Sequence, residues 1–563
     1  MRKGILFFIV AILALFANKA IAQNIFINQL GYFPSVEKYA LIENPCSSSG
    51  AADIINVDTN STAMKVNLSP AITDIFTKER VSKVDFSSLT IPGKYLIRYN
   101  GKDSFSFNIS DTIYNNTLYQ TSRSYYLQSC GIGINDTVSG MSHPPCHLQD
   151  GHIKRGDSFN PTDKIIDSKG GWHDAGDFGK YITSMSTSTT LLMSAFEMSP
   201  EISGVKLDIP ESSTNMPDIL DEIKYALSWM LKQQRPDGAV YRKTSGEKWP
   251  SDTTLPQDDT QKRFVYGIST QDTGRFAATM ARASRIFKPY DQAFSSKCLK
   301  ASQSAWNYIN THGYYVDYKN TDDSGSGGYP NPSYDTEPYA YSDLDEKIWA
   351  AAELYLATND EVFLNYVKNN INKIPYEPFS WKNETFMSVI LCGTKNISDK
   401  VFQNQMKQKL LSEADKIVNN MNINPYYIPM ETFKWGSNAN ILGEGITLAY
   451  AYNITRDNKY KESALKTLNY IFGCNPMNKS YVSGEGSNPA QNIHYRYSMA
   501  TGKVIPGFMA GGPNNTANDN TAIPGLKIKS YIDNAHSYAT NECAIDYNAP
   551  LVFMLTWGIY ANK

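Results

Sequence analysis

The densest chemistry in the sequence is Gly170-Gly-Trp-His-Asp-Ala-Gly-Asp-Phe-Gly-Lys-Tyr181. Asp174 and Asp177 stand three residues apart just ahead of a predicted helix, among glycines that permit tight turns. A carboxylate beside a helix start is held ionised, which suits a general base. An Asp there is also a common helix cap, but capping does not call for two Asp, three Gly and a Trp together. A second acidic cluster runs from Tyr531 to Pro550 and contains Asp533, Glu542 and Asp546. Glu542 is followed by Cys543, Ala544 and Ile545, where loss of water would raise its pKa towards general-acid work. The alternative is that Asn541 and Glu542 cap the last helix. Between the clusters, His494 and Arg496 lie in a long Gly/Pro/Asn loop, a pairing suited to gripping a polar ligand.

Cys130, Cys146, His147 and His173 form a third group. Two thiolates and two imidazoles without a carboxylate describe a closed, tetrahedral, structural zinc site. The spacing is not that of a short zinc finger, and in an oxidising compartment a Cys130–Cys146 disulfide is the competing reading. Cys46, Cys298, Cys392, Cys474 and Cys543 are isolated, mostly in apolar surroundings, and read as buried thiols.

These residues need a large scaffold, and the composition provides one. The 563-residue chain is 41% hydrophobic and 19% charged, enough for a sizeable core. With 53 basic against 55 acidic residues, net −2, it lacks the basic excess of a nucleic-acid binder. Aromatics reach 12%, mostly core, with an aromatic-lined cleft as the further reading. Residues 1–22 read as a secretory signal: Arg2 and Lys3, apolar Ile5 to Ala17, then the Ala20-Ile21-Ala22 cleavage site. The apolar run is too short to span a bilayer comfortably. A mature protein from Gln23, exported to a periplasm or the outside, with no membrane span, is expected.

Two regimes follow. Residues 23–111 read as short strands, with Asn100-Gly101 between β-rich runs as a hairpin signal, and predict a small β-sandwich. Residues 112–563 read as about a dozen helices, without strand-like runs of comparable strength. Ile219, Leu220, Ile223, Leu227, Met230 and Leu231 mark the apolar face of one, entered at Pro217. Long polar loops, notably Cys130–Gly171, Lys319–Asp335 and Asn475–Ser530, separate the helices, and loops of that length are uncommon unless they are functional.

In its motifs the chain resembles glycoside hydrolase family 9, the cellulase-type family with an immunoglobulin-like N-terminal domain. Asn28-Gln-Leu-Gly-Tyr32 resembles the opening of that domain, and Gly170 to Asp177 the Asp-bearing motif. Trp435-Gly-Ser-Asn438, Gly473-Cys-Asn-Pro476, His494-x-Arg496 and Asp533…Asn541-Glu542 fall in the family's order. The resemblance implies a multidomain architecture: an immunoglobulin-like β-sandwich followed by an (α/α)6 barrel with its cleft in the loops at one end. It implies inverting hydrolysis of β-1,4-glucan bonds, with Glu542 as general acid, Asp177 as general base and Asp174 helping to hold the attacking water. His494, Arg496 and Asp533 would line the sugar subsite beside the cut. Members with this N-terminal domain carry a zinc, and Cys130, Cys146, His147 and His173 match its ligands. Calcium is implied near Asp343, Asp345 and Glu346. The acidic residue the family supplies after a later Trp is absent, because Trp381 precedes Lys382-Asn383 here.

The leading expectation is therefore an exported, monomeric, inverting endo-β-1,4-glucanase acting on cellulose-like, mixed-linkage or xyloglucan chains. An exo-acting cellodextrinase or β-glucosidase is the nearest alternative. A carbohydrate-binding protein with a dead site is opposed by the intact Asp174, Asp177 and Glu542. A zinc hydrolase is opposed by four Cys/His ligands that leave no position for water.

Overall fold

The computed structural model describes residues 24–45, 50–212, 214–317, 342–374, 376–377, 379–380 and 386–562. The expected signal segment, Cys46, the Lys319–Asp335 loop and Trp381 lie outside them.

Ten short strands open the described residues: β1 Ile25–Phe26, β2 Gly31–Tyr32, β3 Tyr39–Glu43, β4 Ala51–Asn56, β5 Ser61–Asn67, β6 Ile72–Thr73, β7 Arg80–Asp85, β8 Gly93–Tyr99, β9 Lys102–Asp103 and β10 Phe107–Ile109. They form two facing sheets, β1-β3-β7-β6 and β2-β10-β8-β4-β5, with β9 hairpinned onto β8. The Asn100-Gly101 hairpin is present: Arg98 pairs with Asp103 and Tyr99 with Lys102. Both turn residues have positive φ, 53° and 73°, the twist that suits a two-residue turn. Strand β8 alternates, burying Tyr95, Ile97 and Tyr99. Strand β3 does not; all five residues are buried. Ala40 and Ile42 face the sandwich core, while Tyr39 and Leu41 join the core of the helical domain. Phe26 meets Tyr426, Tyr39 meets Tyr427 and Phe76 meets Phe433, with ring centres 5.2–5.8 Å apart.

The helices are α1 Asn115–Leu127, α2 Ile182–Met198, α3 Asp218–Lys232, α4 Thr270–Phe287, α5 Gln292–Thr311, α6 Leu344–Thr358, α7 Glu361–Asn370, α8 Phe386–Thr394, α9 Lys400–Asn422, α10 Ser437–Thr455, α11 Asn458–Ile471, α12 Arg496–Thr501, α13 Tyr538–Asn541 and α14 Ile545–Ala561. Leaving aside the short α12 and α13, the twelve others among the described residues alternate between an inner and an outer layer. Helices α2, α4, α6, α8, α10 and α14 form the inner ring, with α9 bridging α8 and α10; α1, α3, α5, α7, α9 and α11 pack outside. This is the expected (α/α)6 arrangement behind a β-sandwich.

Inner helices α2, α8, α10 and α14 are buried nearly all round and so present no single apolar face. Helix α2 tolerates its Ser/Thr run because Thr187, Ser188, Thr189 and Ser194 donate to carbonyls one turn back. Helix α8, FMSVILCGT, is apolar on every side, and no periodicity marks it in the sequence. Caps at Ser269, Asp291, Asp360, Asp399 and Asp457 start the more polar helices.

One departure is a small sheet within the helical part. Strands β11 Ile134–Asn135 and β12 Ser142–His143 pair, and β13 His152–Ile153, β14 Lys180–Tyr181, β15 Lys243–Gly246 and β16 Arg263–Val265 form a sheet in the order β13-β16-β15-β14. At two to four residues each, these strands are too short to show a period. Strand β14 begins three residues after Asp177. No described helix is long and apolar enough to cross a membrane.

Candidate active site

Four loops meet at one end of the helical ring, and backbone hydrogen bonds tie them together. His173 N donates to Gln128 O (2.7 Å), Cys130 N to Gly171 O (2.8 Å), Ile545 N to Asp174 O (2.8 Å) and His494 N to Asn541 O (2.9 Å). Asp174 and Asp177 are thereby buried at one place, with the half-buried Glu542 brought against them.

Neither Asp174 nor Asp177 caps a helix. Helix α2 begins at Ile182 behind Tyr181, with no side-chain cap. Asp177 Oδ2 accepts from Gly179 N (3.2 Å) and the Tyr181 hydroxyl (3.0 Å). Its Oδ1 is buried with no hydrogen-bond partner among the described residues. Burial raises the Asp177 pKa, against the opposing charge of Arg496. Asp174 Oδ1 accepts from Ser184, and burial together with Asp546 and Asp177 pushes its pKa well up.

Glu542 does not cap α14 either; Ala544 holds that position without a side-chain bond. Glu542 Oε1 accepts from Gly176 N at 3.2 Å. A Cβ on Gly176 would stand 2.5 Å from His494 O and 3.1 Å from Glu542 Oε1, so only glycine allows this approach. Burial, then the Asp177 charge, raises the Glu542 pKa to about 8. It is therefore protonated at neutral pH, as a general acid must be.

His494 and Arg496 flank this pair. His494 Nδ1 lies 2.6 Å from Ala535 O and so carries the proton, leaving Nε2 as an acceptor. Burial lowers its pKa and keeps it neutral. The sequence reading placed Arg496 on the sugar. Its guanidinium donates to Gly176 O (2.6 Å), Pro250 O (2.8 and 3.1 Å) and Ser251 O (3.2 Å), bolting the Asp177 loop to the 250–251 loop. Asp533 is likewise engaged inside the protein. It accepts from Asn492 N (2.8 Å), Gln491 N (3.0 Å) and Asn541 Nδ2 (3.2 Å), and pairs with Lys479 (2.6 Å). Burial opposes its charge, but Lys479 and these N–H groups outweigh it and lower the pKa.

Sequence reasoning assigned no site role to Tyr181, Ser184 or Asp546. The last is buried beside Asp174, and burial raises its pKa to about 7. Tyr181 ends the quoted Gly-rich motif, and Asp546 follows Glu542 by four residues, so proximity in sequence was the available signal. Trp435 and Tyr538, each a little over one-third exposed, stack at 5.8 Å with 26° between planes. Tyr538 in turn meets the His494 ring at 6.1 Å, which places an open aromatic shelf against the acidic site.

The metal candidates converge. Cys130, Cys146, His147 and His173 each offer a ligand atom, all within 4.8 Å of one another, and this is the one such group among the described residues. Both cysteines are free thiols, not a disulfide. Burial works against a Cys130 thiolate, but the Cys146 thiol and the nearby Lys180 ammonium outweigh it and hold its pKa well down. Burial lowers His173 to about 4, leaving the neutral ring that ligates metal. His147 turns Nε2 to Asp259 Oδ2 (3.3 Å), the usual outer carboxylate of a metal-bound histidine. These residues fit a metal ion.

The expected calcium ligands do not assemble in this way. Asp345 and Glu346 are buried at the start of α6, but Glu346 lies 3.6 Å from Arg275 and Asp343 pairs with Lys347 at 2.8 Å. Cationic side chains supply the neighbouring positive charge. No group of three or more metal-ligating side chains stands there among the described residues.

A β-sandwich on a ring of paired helices, with a protonated Glu facing an Asp at the loop end, is the architecture of an acid–base glycosidase. The chain belongs to glycosyl hydrolase family 9: that family's model matches residues 114–555, and the model for the cellulase N-terminal Ig-like domain matches residues 20–104. It is similar to the xyloglucan-specific endo-beta-1,4-glucanase BoGH9A of Bacteroides ovatus, with 32% identity over 93% of this chain and 92% of that protein. A metagenome-derived family 9 endoglucanase superposes with a TM-score of 0.90, at 36% identity over 95% of this chain and 99% of the other. A Zn-binding triple mutant of the family 9 endoglucanase J30 superposes with a TM-score of 0.88, at 31% identity over 93% and 99%. The chain is thus a glycoside hydrolase of the inverting endo-β-1,4-glucanase type.

Proposed function

We propose that Glu542 is the general acid and Asp177 the general base in this hydrolysis, with Asp174 helping to hold the water. The observation that carries the reading is the contrast between the two carboxyl groups. Glu542 has a pKa near 8, while Asp177 keeps one buried oxygen without a partner among the described residues. Glu542 gives its proton to the glycosidic oxygen as the bond to the anomeric carbon breaks. On the opposite face Asp177 takes a proton from water as the water oxygen bonds to that carbon. The product is the α-anomer, and the two carboxyl groups end with their protonation reversed. Neutral His494, with Nε2 free of its own proton, can accept from a sugar hydroxyl, and the Trp435–Tyr538 shelf suits an apolar sugar face.

Zinc is the ion this reading assigns to Cys130, Cys146, His147 and His173, because two thiolates and two imidazoles form a closed set for a tetrahedral metal. A bound zinc supplies a rigid cross-link and no reaction step. His173 precedes Asp174, so the cross-link would brace the loop that carries the base. Export through the segment ending at Ala22 belongs to the same reading and rests on the sequence.

Product stereochemistry followed by NMR on a soluble β-1,4-glucan oligosaccharide tests the roles. The α-anomer should appear first; a β-anomer first would mean retention and overturn them. Viscosity loss compared with sugar release across cellulose-like, mixed-linkage and xyloglucan substrates would identify the preferred chain.

A further inference from the structure

A chain of polar contacts runs from the β-sandwich to the segment that bears Glu542. Gln29, between β1 and β2, is buried against the helical domain. Its Oε1 accepts from Ser487 N (3.0 Å) and Asn488 N (2.7 Å), and its Nε2 donates to Asn478 O (3.2 Å). Gln29 N itself donates to Phe472 O at 2.9 Å. Gly473 makes this approach possible: at φ 129°, a Cβ there would lie 2.6 Å from Ile27 O and 2.7 Å from Gln29 Nε2.

The clamped loop carries Lys479. Asn475 holds its backbone at both ends, accepting from Lys479 N (3.2 Å) and donating to Lys479 O (2.7 Å). The ammonium reaches Asn488 Oδ1 (3.3 Å) and Asp533 Oδ2 (2.6 Å), with both charged side chains mostly buried. Asp533 then holds Asn492 N and Asn541 Nδ2, and Asn541 is bonded to Glu542 and to His494 N. Nothing in this chain touches the reacting centre except its last member.

We propose that Lys479, fixed by Gln29 of the β-sandwich, is a positioning residue for the general acid. It locks Asp533 against the Asn541–Glu542 segment, so the N-terminal domain takes part in setting the geometry of proton donation. This rests on Glu542 being the acid. Without the ammonium, Asp533 would keep a buried charge balanced only by N–H groups, and the hinge between residues 491–494 and 541–542 would loosen. The loss should fall on proton transfer more than on substrate binding, because Lys479 and Gln29 stand away from the sugar and His494 keeps its own bond to Ala535 O.

The test uses the full chain with Lys479→Met, Lys479→Arg and Gln29→Ala. Lys479→Met should lower kcat on an unactivated β-1,4-glucan oligosaccharide by roughly five- to twenty-fold with KM within about twofold. On an aryl glycoside whose leaving group needs little protonation, the loss should shrink to about twofold or less. Lys479→Arg should recover most of the rate, since it keeps the charge. Gln29→Ala should act in the same direction but more weakly. Amide exchange read by mass spectrometry should quicken in segments 490–494 and 538–543 in Lys479→Met, with the melting temperature tracked alongside. Equal loss on both substrates, or unchanged kcat and exchange, would overturn the proposal. Should the unsubstituted enzyme cut no glucan, the functional reading falls. The exchange comparison would then still decide whether Lys479 holds the segment.

Discussion

Gly176 donates its backbone N–H to Glu542 Oε1 at 3.2 Å, across 366 positions of sequence. That one contact sets the loop of Asp177 against the segment of Glu542, and Arg496 bolts the same glycine's carbonyl at 2.6 Å. The proposed acid and base are therefore held by backbone geometry as well as by their own side chains.

Removing either carboxyl function should disable turnover without unfolding the protein. Glu542→Gln and Asp177→Asn are each expected to cost at least ~10²-fold in kcat. An activated leaving group should partly rescue Glu542→Gln and leave Asp177→Asn unrescued, because only proton donation becomes dispensable. Steady-state kinetics on both substrate types, with circular dichroism as the folding control, checks this.

The pH profile should follow the same two groups. Glu542 must be protonated, so activity is expected to fall as pH rises through about 8. Asp177 must be ionised, and its raised pKa places the acid limb above the ordinary aspartate range. Because the Asp177 charge helps to raise Glu542, Asp177→Asn should move the alkaline limb of the residual rate to lower pH.

Glu542 also bears on stability. Its folded pKa lies above its unfolded one, so the folded form binds the extra proton and is destabilised as pH rises from about 4.5 through about 8. Glu542→Gln should therefore raise the melting temperature near pH 8, with little gain near pH 4. Thermal melts at the two pH values decide it.

Metal analysis of protein purified without added metal should find one zinc per chain and no Cys130–Cys146 disulfide. Cys146→Ser should lose the metal and lower the melting temperature. Asp259→Asn, which removes the outer partner of His147, should weaken metal affinity by roughly 10–100-fold. A disulfide found by mass spectrometry would end this assignment.

The β-sandwich should not be separable. Phe26 is fully buried between the domains against Tyr426, and Phe26→Ala is expected to cost about 3–5 kcal/mol. That is a large part of a typical domain's ~5–15 kcal/mol. Denaturant melts, together with expression of residues 112–563 alone, would show whether the helical part stands without its partner.

Much of this was legible in the sequence because it is local. The Asn100-Gly101 turn and the 3.6-residue faces of amphipathic helices such as α3 depend on neighbours a few positions away. Cys130, Cys146, His147 and His173 were legible as a ligand set by residue type, and Asp174, Asp177 and Glu542 by their clustering and family order. Tertiary structure decided the rest. Helix α8 carries no period because it is buried on every side. The small sheet exists only because distant strands pair. Arg496 and Asp533 look in sequence like ligand-gripping residues, since charge and loop placement are all that sequence displays. Folded, Arg496 donates to backbone carbonyls brought from far along the chain, and Asp533 is held by backbone N–H groups together with the Lys479 and Asn541 side chains. A buried charge must find partners, and which partners it finds is a property of the packed molecule alone.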